Sequence, residues 1–208
     1  MTNYPDPESP PAETRQRIIA AAMRLFGRQG YSQTATRVIA AEAGVNEVTL
    51  FRHFGNKKGL LVACVEAHNA AGFAATFEAG LSSDYPRDIL HMAKLQVQDT
   101  ASSLVLLSLL VCDARNVPEL RQALLAGGRG NLQRLSAYFQ RQIDAGVIYP
   151  GLSAEPLASA FDSLFSSNLI FEYMFQGSLS PNLSSEAVIQ PLVDLFVRGT
   201  WAKSERSK

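Results

Sequence analysis

The sequence predicts an all-helical protein: a small N-terminal three-helix unit with a helix-turn-helix, joined to a larger helical body. Three observations carry that prediction. Apolar residues recur at helical spacing almost from end to end, and no alternating strand pattern, internal repeat or low-complexity tract interrupts them. Glycines and prolines fall between those segments, where helices stop and start. Residues 36–61 read as two short helices joined by a tight turn, with a third starting straight after.

Taken in order, residues 1–11 are polar, acidic and Pro-rich and should form a disordered lead-in; they lack the charged and apolar regions of a signal peptide. The first helix is expected over residues 11–28, with Ile18, Ala22, Leu25 and Phe26 on one face and Gly30 as the left-handed stop. Residues 34–42 and 46–54 are the paired helices. Ile39, Ala40 and Ala43 share a face, Gly44 supplies the turn, and Val45 fills the angle between them. Asn46 caps the second helix by accepting from the N–H of Val48 or Thr49. That helix is too short to stand alone, so packing must hold it.

The fourth helix, residues 57–79, is capped by Asn56 and carries Lys57 and Lys58 in its first turn. A loop covers residues 80–85. Pro86 opens a fifth helix to about Gln98, and a sixth, residues 101–115, is apolar nearly all round and so buried. Pro118 opens a seventh segment, weakened at Gly127 and Gly128, that stops at Gly146. Ser153 caps a helix over residues 154–175; after a polar loop at 177–184 the last helix covers residues 185–202.

A short helix set at a steep angle by a Gly turn is the unit whose second helix enters the DNA major groove. Its outer face offers Asn46, Glu47, Thr49, Arg52 and His53. Arg52 and Thr49 are the expected base readers, since a guanidinium bonds guanine and a Thr methyl touches thymine. Glu47 either accepts from cytosine or simply suits the positive end of the helix dipole. His53 is assigned to phosphate. Arg17, Thr34, Thr36 and Arg37 lie at or near helix N-termini and would position the backbone without reading bases; each also reads as an ordinary cap or exposed charge. Lys57, at a helix N-terminus, is the stronger phosphate candidate.

Net charge is zero over 208 residues, which by itself argues against nucleic acid. The distribution reverses that. Residues 12–62 hold eight Lys/Arg against three acids, so the rest of the chain carries the compensating negative charge. Cys64 and Cys112 sit far apart in apolar stretches and suit reduced thiols of a cytoplasmic protein. The most apolar run, residues 104–112, is far too short to span a bilayer.

An enzyme remains the rival class. Cys64, Glu66 and His68 lie close together, and Cys64 and His68 share a helical face, but nothing fixes a third metal ligand; His91 stands alone. The Gly127–Gly130 run lacks the strand and spacing of a phosphate loop. No catalytic residue, metal or cofactor is therefore assigned, and packing is the plainer role for Cys64 and His68.

Extended upstream to Arg17-Ile18-Ile19, Ala22, Leu25-Phe26 and Gly30-Tyr31, and ending in Phe51-Arg52-His53-Phe54-Gly55-Asn56-Lys57, the segment resembles the DNA-binding domain of the tetracycline-repressor (TetR) family of transcriptional regulators. The resemblance covers residues 12–62, about a quarter of the chain. Four positions depart from the family pattern: Phe51 for a usual Tyr that would reach phosphate, Val48 for Gly, Asn46 for Ser, and Gly59 for an acid.

The resemblance implies a head at residues 12–62 and, at 63–208, a body that binds an effector and dimerises. The implied partners are a near-palindromic double-stranded operator and a small, largely apolar effector of unknown identity. Phe73, Phe77, Phe139 and Phe165, with Gln96, Asp99, Asp113 or Asn168 as polar orienters, are the expected pocket. Two apolar stripes, Leu157, Phe161, Leu164, Phe165 and Asn168 on one helix and Val188, Leu192, Leu195, Phe196 and Gly199 on the other, are expected to close a dimeric four-helix bundle, or else their own domain's core. Alternatives to a ligand-released repressor are an activator, a regulator without effector, and a metal- or small-molecule-dependent enzyme on a helical fold.

Overall fold

A computed structural model describes residues 11–71, 73–112, 118–175 and 185–202. The lead-in before Pro11, Asp113 and the 177–184 loop lie outside the described residues. The helices are α1 (Pro11–Gln29), α2 (Thr36–Glu42), α3 (Glu47–Phe54), α4 (Lys57–Ala71), α5 (Phe73–Thr76), α6 (Tyr85–Cys112), α7 (Pro118–Asp144), α8 (Ala154–Phe175) and α9 (Ser185–Thr200), with a 3-10 turn at Glu78–Gly80. The described residues contain no helix long and apolar enough to cross a membrane. The chain divides into two compact units: one ends at Asn69 and takes in Val105–Leu125, and the other holds Ala70–Leu104 and the chain from Ala126.

In the first unit, Ile18, Ala22 and Phe26 of α1 pack with Ile39 and Ala40 of α2, Leu50 of α3, and Leu60, Leu61, Cys64 and Val65 of α4. Leu106 and Leu120 complete that cluster. Each Ile, Leu, Val or Phe among them contributes about 1.5–3 kcal/mol when fully buried, so short helices that could not persist alone are held by their inner faces. Gly30 (φ 79°) stops α1, and its N–H still reaches Phe26 O at 2.9 Å. Gly44 (φ 66°) makes the turn into α3, and Val45 N–H reaches back to Ala40 O at 2.9 Å. Asn46 caps α3 by accepting from Thr49 N–H at 2.7 Å. Asn56 caps α4 by accepting from Gly59 N–H at 2.9 Å.

The second unit is built on rings. Phe161 lies 4.8 Å from Phe165, 5.3 Å from Phe196 and 5.9 Å from Phe139, the last two edge-on, an arrangement aromatic quadrupoles favour. Several of its interior polar groups are paired. Tyr138 donates to Asp88 at 3.1 Å, Asp88 also accepts from Ser82, and the Tyr85 and Thr200 hydroxyls meet at 2.6 Å. An isolated antiparallel bridge between Ile148 and Trp201 ties the end of α9 to the turn before α8.

Three element boundaries differ from expectation. The helix expected over residues 57–79 ends at Ala71, and the chain resumes as α5. Phe73 N–H donates to the Asp99 carboxylate at 3.0 Å, in place of a carbonyl one helical turn back. The expected fifth and sixth helices are one, α6, because Ser102 and Ser103 turn their hydroxyls back onto Asp99 O within the helix instead of breaking it. Residue 34 is not helical; α2 starts at Thr36 after Ala35, which offers no side-chain cap.

Candidate nucleic-acid interface

α3 buries one residue, Leu50. One turn of its outer face carries Val48, Phe51 and Arg52, at i, i+3 and i+4 and all exposed. Val48 is 76% exposed and Phe51 40%, and Val38 on α2 adds a third exposed apolar side chain at 41%. Val48 and Val38 were missed as candidates because only polar groups were sought. The available signal was an apolar residue on the outer face of a helix whose inner face Leu50 already fills. Such a side chain can meet the thymine methyl.

The sequence-assigned polar residues divide. Arg37 and Arg52 are exposed, and Asn46 is exposed while serving as the cap. The Thr36 hydroxyl donates to the Glu47 carboxylate, which latches the first turn of α2 to that of α3; both are half-buried. Lys57 donates to Tyr31 O and lies 4.2 Å above the Tyr31 ring centroid. Arg17 is half-buried, and its Nε has no hydrogen-bond partner. Thr34 is a correction: fully buried, it donates to Gly30 O at 2.6 Å and so closes the α1–α2 turn instead of facing a phosphate.

His53 is half-buried and lines an open groove of about 680 Å³ with Arg15, Phe54, Asn56, Lys58 and Glu66. The Arg15 guanidinium stands 5.5 Å over the Phe54 ring. Cys64 is fully buried, its thiol faces Ile19 O at 3.9 Å, and burial pushes that thiol up to about 12, so it is a packing group and not a nucleophile. Among the described residues no three His, Cys, Asp or Glu gather as metal ligands.

The expected pocket and stripe residues of the second unit fall mostly in its interior. Phe73, Phe77, Phe139 and Phe165 are each at most 4% exposed and belong to the aromatic core. Phe165 and Asn168 edge a cleft of about 20 Å³, room for little more than one water. Leu157, Phe161 and Phe196 are likewise core residues, Leu164, Val188 and Leu192 are half-buried, and of that stripe Leu195 is the exposed large side chain, at 64%. The faces of α8 and α9 that point outward are instead Pro156, Ala160, Ser163, Ser167 and Phe171, and Ala187, Pro191, Leu195 and Gly199.

A glycine-turned helix pair with a short, outward-facing second helix, seated on a basic three-helix unit, defines a helix-turn-helix DNA-binding protein. Residues 18–64 match the family model described as bacterial regulatory proteins, tetR family. Residues 18–64 are thus similar to the DNA-binding domain of that family, and the chain is a DNA-binding transcriptional regulator. It is 27% identical over 193 residues to the uncharacterized regulator YvkB of Bacillus subtilis, covering 91% of this chain and 98% of that one. Its fold is similar to that of a putative TetR-family regulator from Mesorhizobium loti, with TM-score 0.78 and 23% identity over 93% of this chain and all of the other. It is also similar to a putative regulator from Saccharomonospora viridis solved with choline, with TM-score 0.76 and 22% identity over 94% of this chain and all of that one.

Proposed function

We propose that this chain acts in the cytoplasm as a homodimeric repressor that grips a near-palindromic operator and releases it when a small, largely apolar molecule occupies the body. The labour divides between residues 12–62, which hold DNA, and 63–208, which dimerise and sense. The observation that carries the reading is the outer face of α3, where Val48, Phe51 and Arg52 stand exposed on a helix anchored by Leu50 and fixed by the Asn46 cap. Arg52 reads a base edge, Val48 and Thr49 offer apolar contact to thymine, and Arg37, His53 and Lys57 hold phosphates. Arg17 is read as a further phosphate contact.

One helix-turn-helix makes few base contacts, and two-fold symmetry doubles them. The small-residue faces of α8 and α9 support a second copy as the partner: Ala160, Ser163, Ala187 and Gly199 permit close helix approach, and Leu195 and Phe171 supply apolar area. Effector coupling is supported by α6, which bears Gln96 and Asp99 in the second unit and Leu106 in the core of the first. The recognition helices of a dimer must fit grooves about 34–36 Å apart, so small displacements spoil the register. A hundredfold loss of DNA affinity needs about 2.7 kcal/mol of coupling. The choline-bound relative supports a body of this fold holding a small molecule.

Footprinting across its own gene's promoter should give one protected, two-fold-related site. A compound library screened for thermal stabilisation should contain ligands that release it. Equal affinity for random duplex would remove the operator reading. If the best stabilisers leave operator affinity unchanged, release by an effector is wrong.

A further inference from the structure

Gln96 of α6 is 4% exposed, yet only one end of its amide is served. Its nitrogen donates to the Asp162 carboxylate of α8 at 2.9 Å and, at the limit of hydrogen-bond length, to Thr100 Oγ1 at 3.5 Å. Its Oε1 is buried without a donor. A sealed carbonyl left in this state is costly. Turning the amide over moves the orphan without curing it: the oxygen would then face a carboxylate, and the nitrogen would lack an acceptor. Asp162 is half-buried, and among the described residues no cation pairs with it. Burial holds its carboxyl above the usual carboxylate range, repulsion from Asp99 adds to that, and the Gln96 hydrogen bond opposes both. Asp99, one turn on from Gln96, is itself an acceptor, taking the Phe73 N–H at 3.0 Å and the Asn131 amide at 3.3 Å.

The same faces of α6 and α8 carry apolar neighbours, Met92 and Ala93 a turn before Gln96 and Ala158 and Phe165 flanking Asp162, beside the buried hydroxyls of Thr100 and Ser166. The locality therefore holds a buried acceptor without a donor beside a carboxylate that no cation among the described residues pairs, in a largely apolar wall. One buried water would satisfy Oε1 but would not neutralise the carboxylate. We propose that the effector is an apolar amine, whose protonated primary or secondary nitrogen donates to Gln96 Oε1 and the Asp162 carboxylate while its hydrocarbon part meets the surrounding core. This deepens the reading of the body as an effector site and rests on it.

Four probes of one chain length separate the chemistry: octylamine, octyltrimethylammonium, octanol and octanoate, titrated calorimetrically into the full-length protein and its Asp162→Asn and Gln96→Leu variants. Octylamine should bind at least about tenfold more tightly than octanol, with octanoate excluded. The trimethylated cation, which has charge but no N–H, should fall between. Each substitution should cost octylamine about tenfold and leave octanol nearly unchanged. Octanol or octanoate matching the amine, amine affinity indifferent to both substitutions, or no binding by any probe overturns the proposal. If Gln96→Leu fails to fold by circular dichroism, the wild-type series and the isosteric Asp162→Asn still decide it. An operator-release arm separates the two readings. An amine that binds as expected but leaves DNA bound keeps this site and removes effector release. Release by neutral compounds with no amine preference removes this site and keeps effector release.

Discussion

α3 and α8 bury their faces on very different terms. α3 hides one residue, Leu50, and keeps Val48, Phe51 and Arg52 outside. α8 hides Ala154, Leu157, Ala158, Phe161, Phe165 and Ser166, and turns Pro156, Ala160, Ser163 and Ser167 outward. In the head, architecture comes from turns and caps and leaves the working surface uncommitted. In the body, architecture is the packed ring cluster, and the outward surface is made of small side chains.

The sharpest way to break that contrast is Phe161→Ala. A core ring should cost about 3–5 kcal/mol in equilibrium unfolding when truncated, and the association state at matched fraction folded should not change. A dissociated but equally stable protein would return Phe161 to an interface. Leu195→Glu should do the reverse: unfolding free energy per protomer within about 0.5 kcal/mol of the parent, and a shift toward monomer in sedimentation. An unshifted sedimentation profile would deny the α9 face to a second copy.

Arg52→Ala should cost about 1–3 kcal/mol of operator affinity and relax preference at one base step. Uniform loss across operator variants would make it a phosphate contact. Phe51→Tyr should strengthen operator binding by about 0.5–1.5 kcal/mol per half-site, with no change in thermal midpoint. The smallest effect concerns pH. Asp162 is held above its unfolded range, so the native state binds more protons, and this group's contribution is most favourable in acid and lost as pH rises through its folded value. Asp162→Asn should therefore melt higher than the parent at neutral pH, with the difference closing as pH falls toward 3.8. A difference that widens in acid would reverse the sign.

The head was legible because its determinants are local. Gly44, the Asn46 cap and the Asn56 cap each act within a few residues, and the structure has all three. Thr34 was misread because its hydroxyl turns back to Gly30 O, four residues upstream, and nothing in residue type tells that from a phosphate contact. In the body the errors came from distance. The start of α5 is linked to Asp99, 26 residues beyond Phe73, which no local pattern records. The α8 stripe was left between two partners, a second copy or its own core, because hydropathy marks Leu157 and Phe161 as buried without saying by what. The small residues that face outward carry little hydropathy signal at all.

Because Leu50 is the one fully buried side chain of α3, with Glu47 and Phe54 holding its two ends, the outward positions between them are open to change with little structural penalty. Substitutions at Val48, Thr49, Phe51 or Arg52 fall on a surface that the fold does not consult, so surface exchanges should stay within about 0.5 kcal/mol of stability. A lineage can thus drift from one DNA address to another through intermediates that all remain folded, while the rest of the chain diverges on its own schedule.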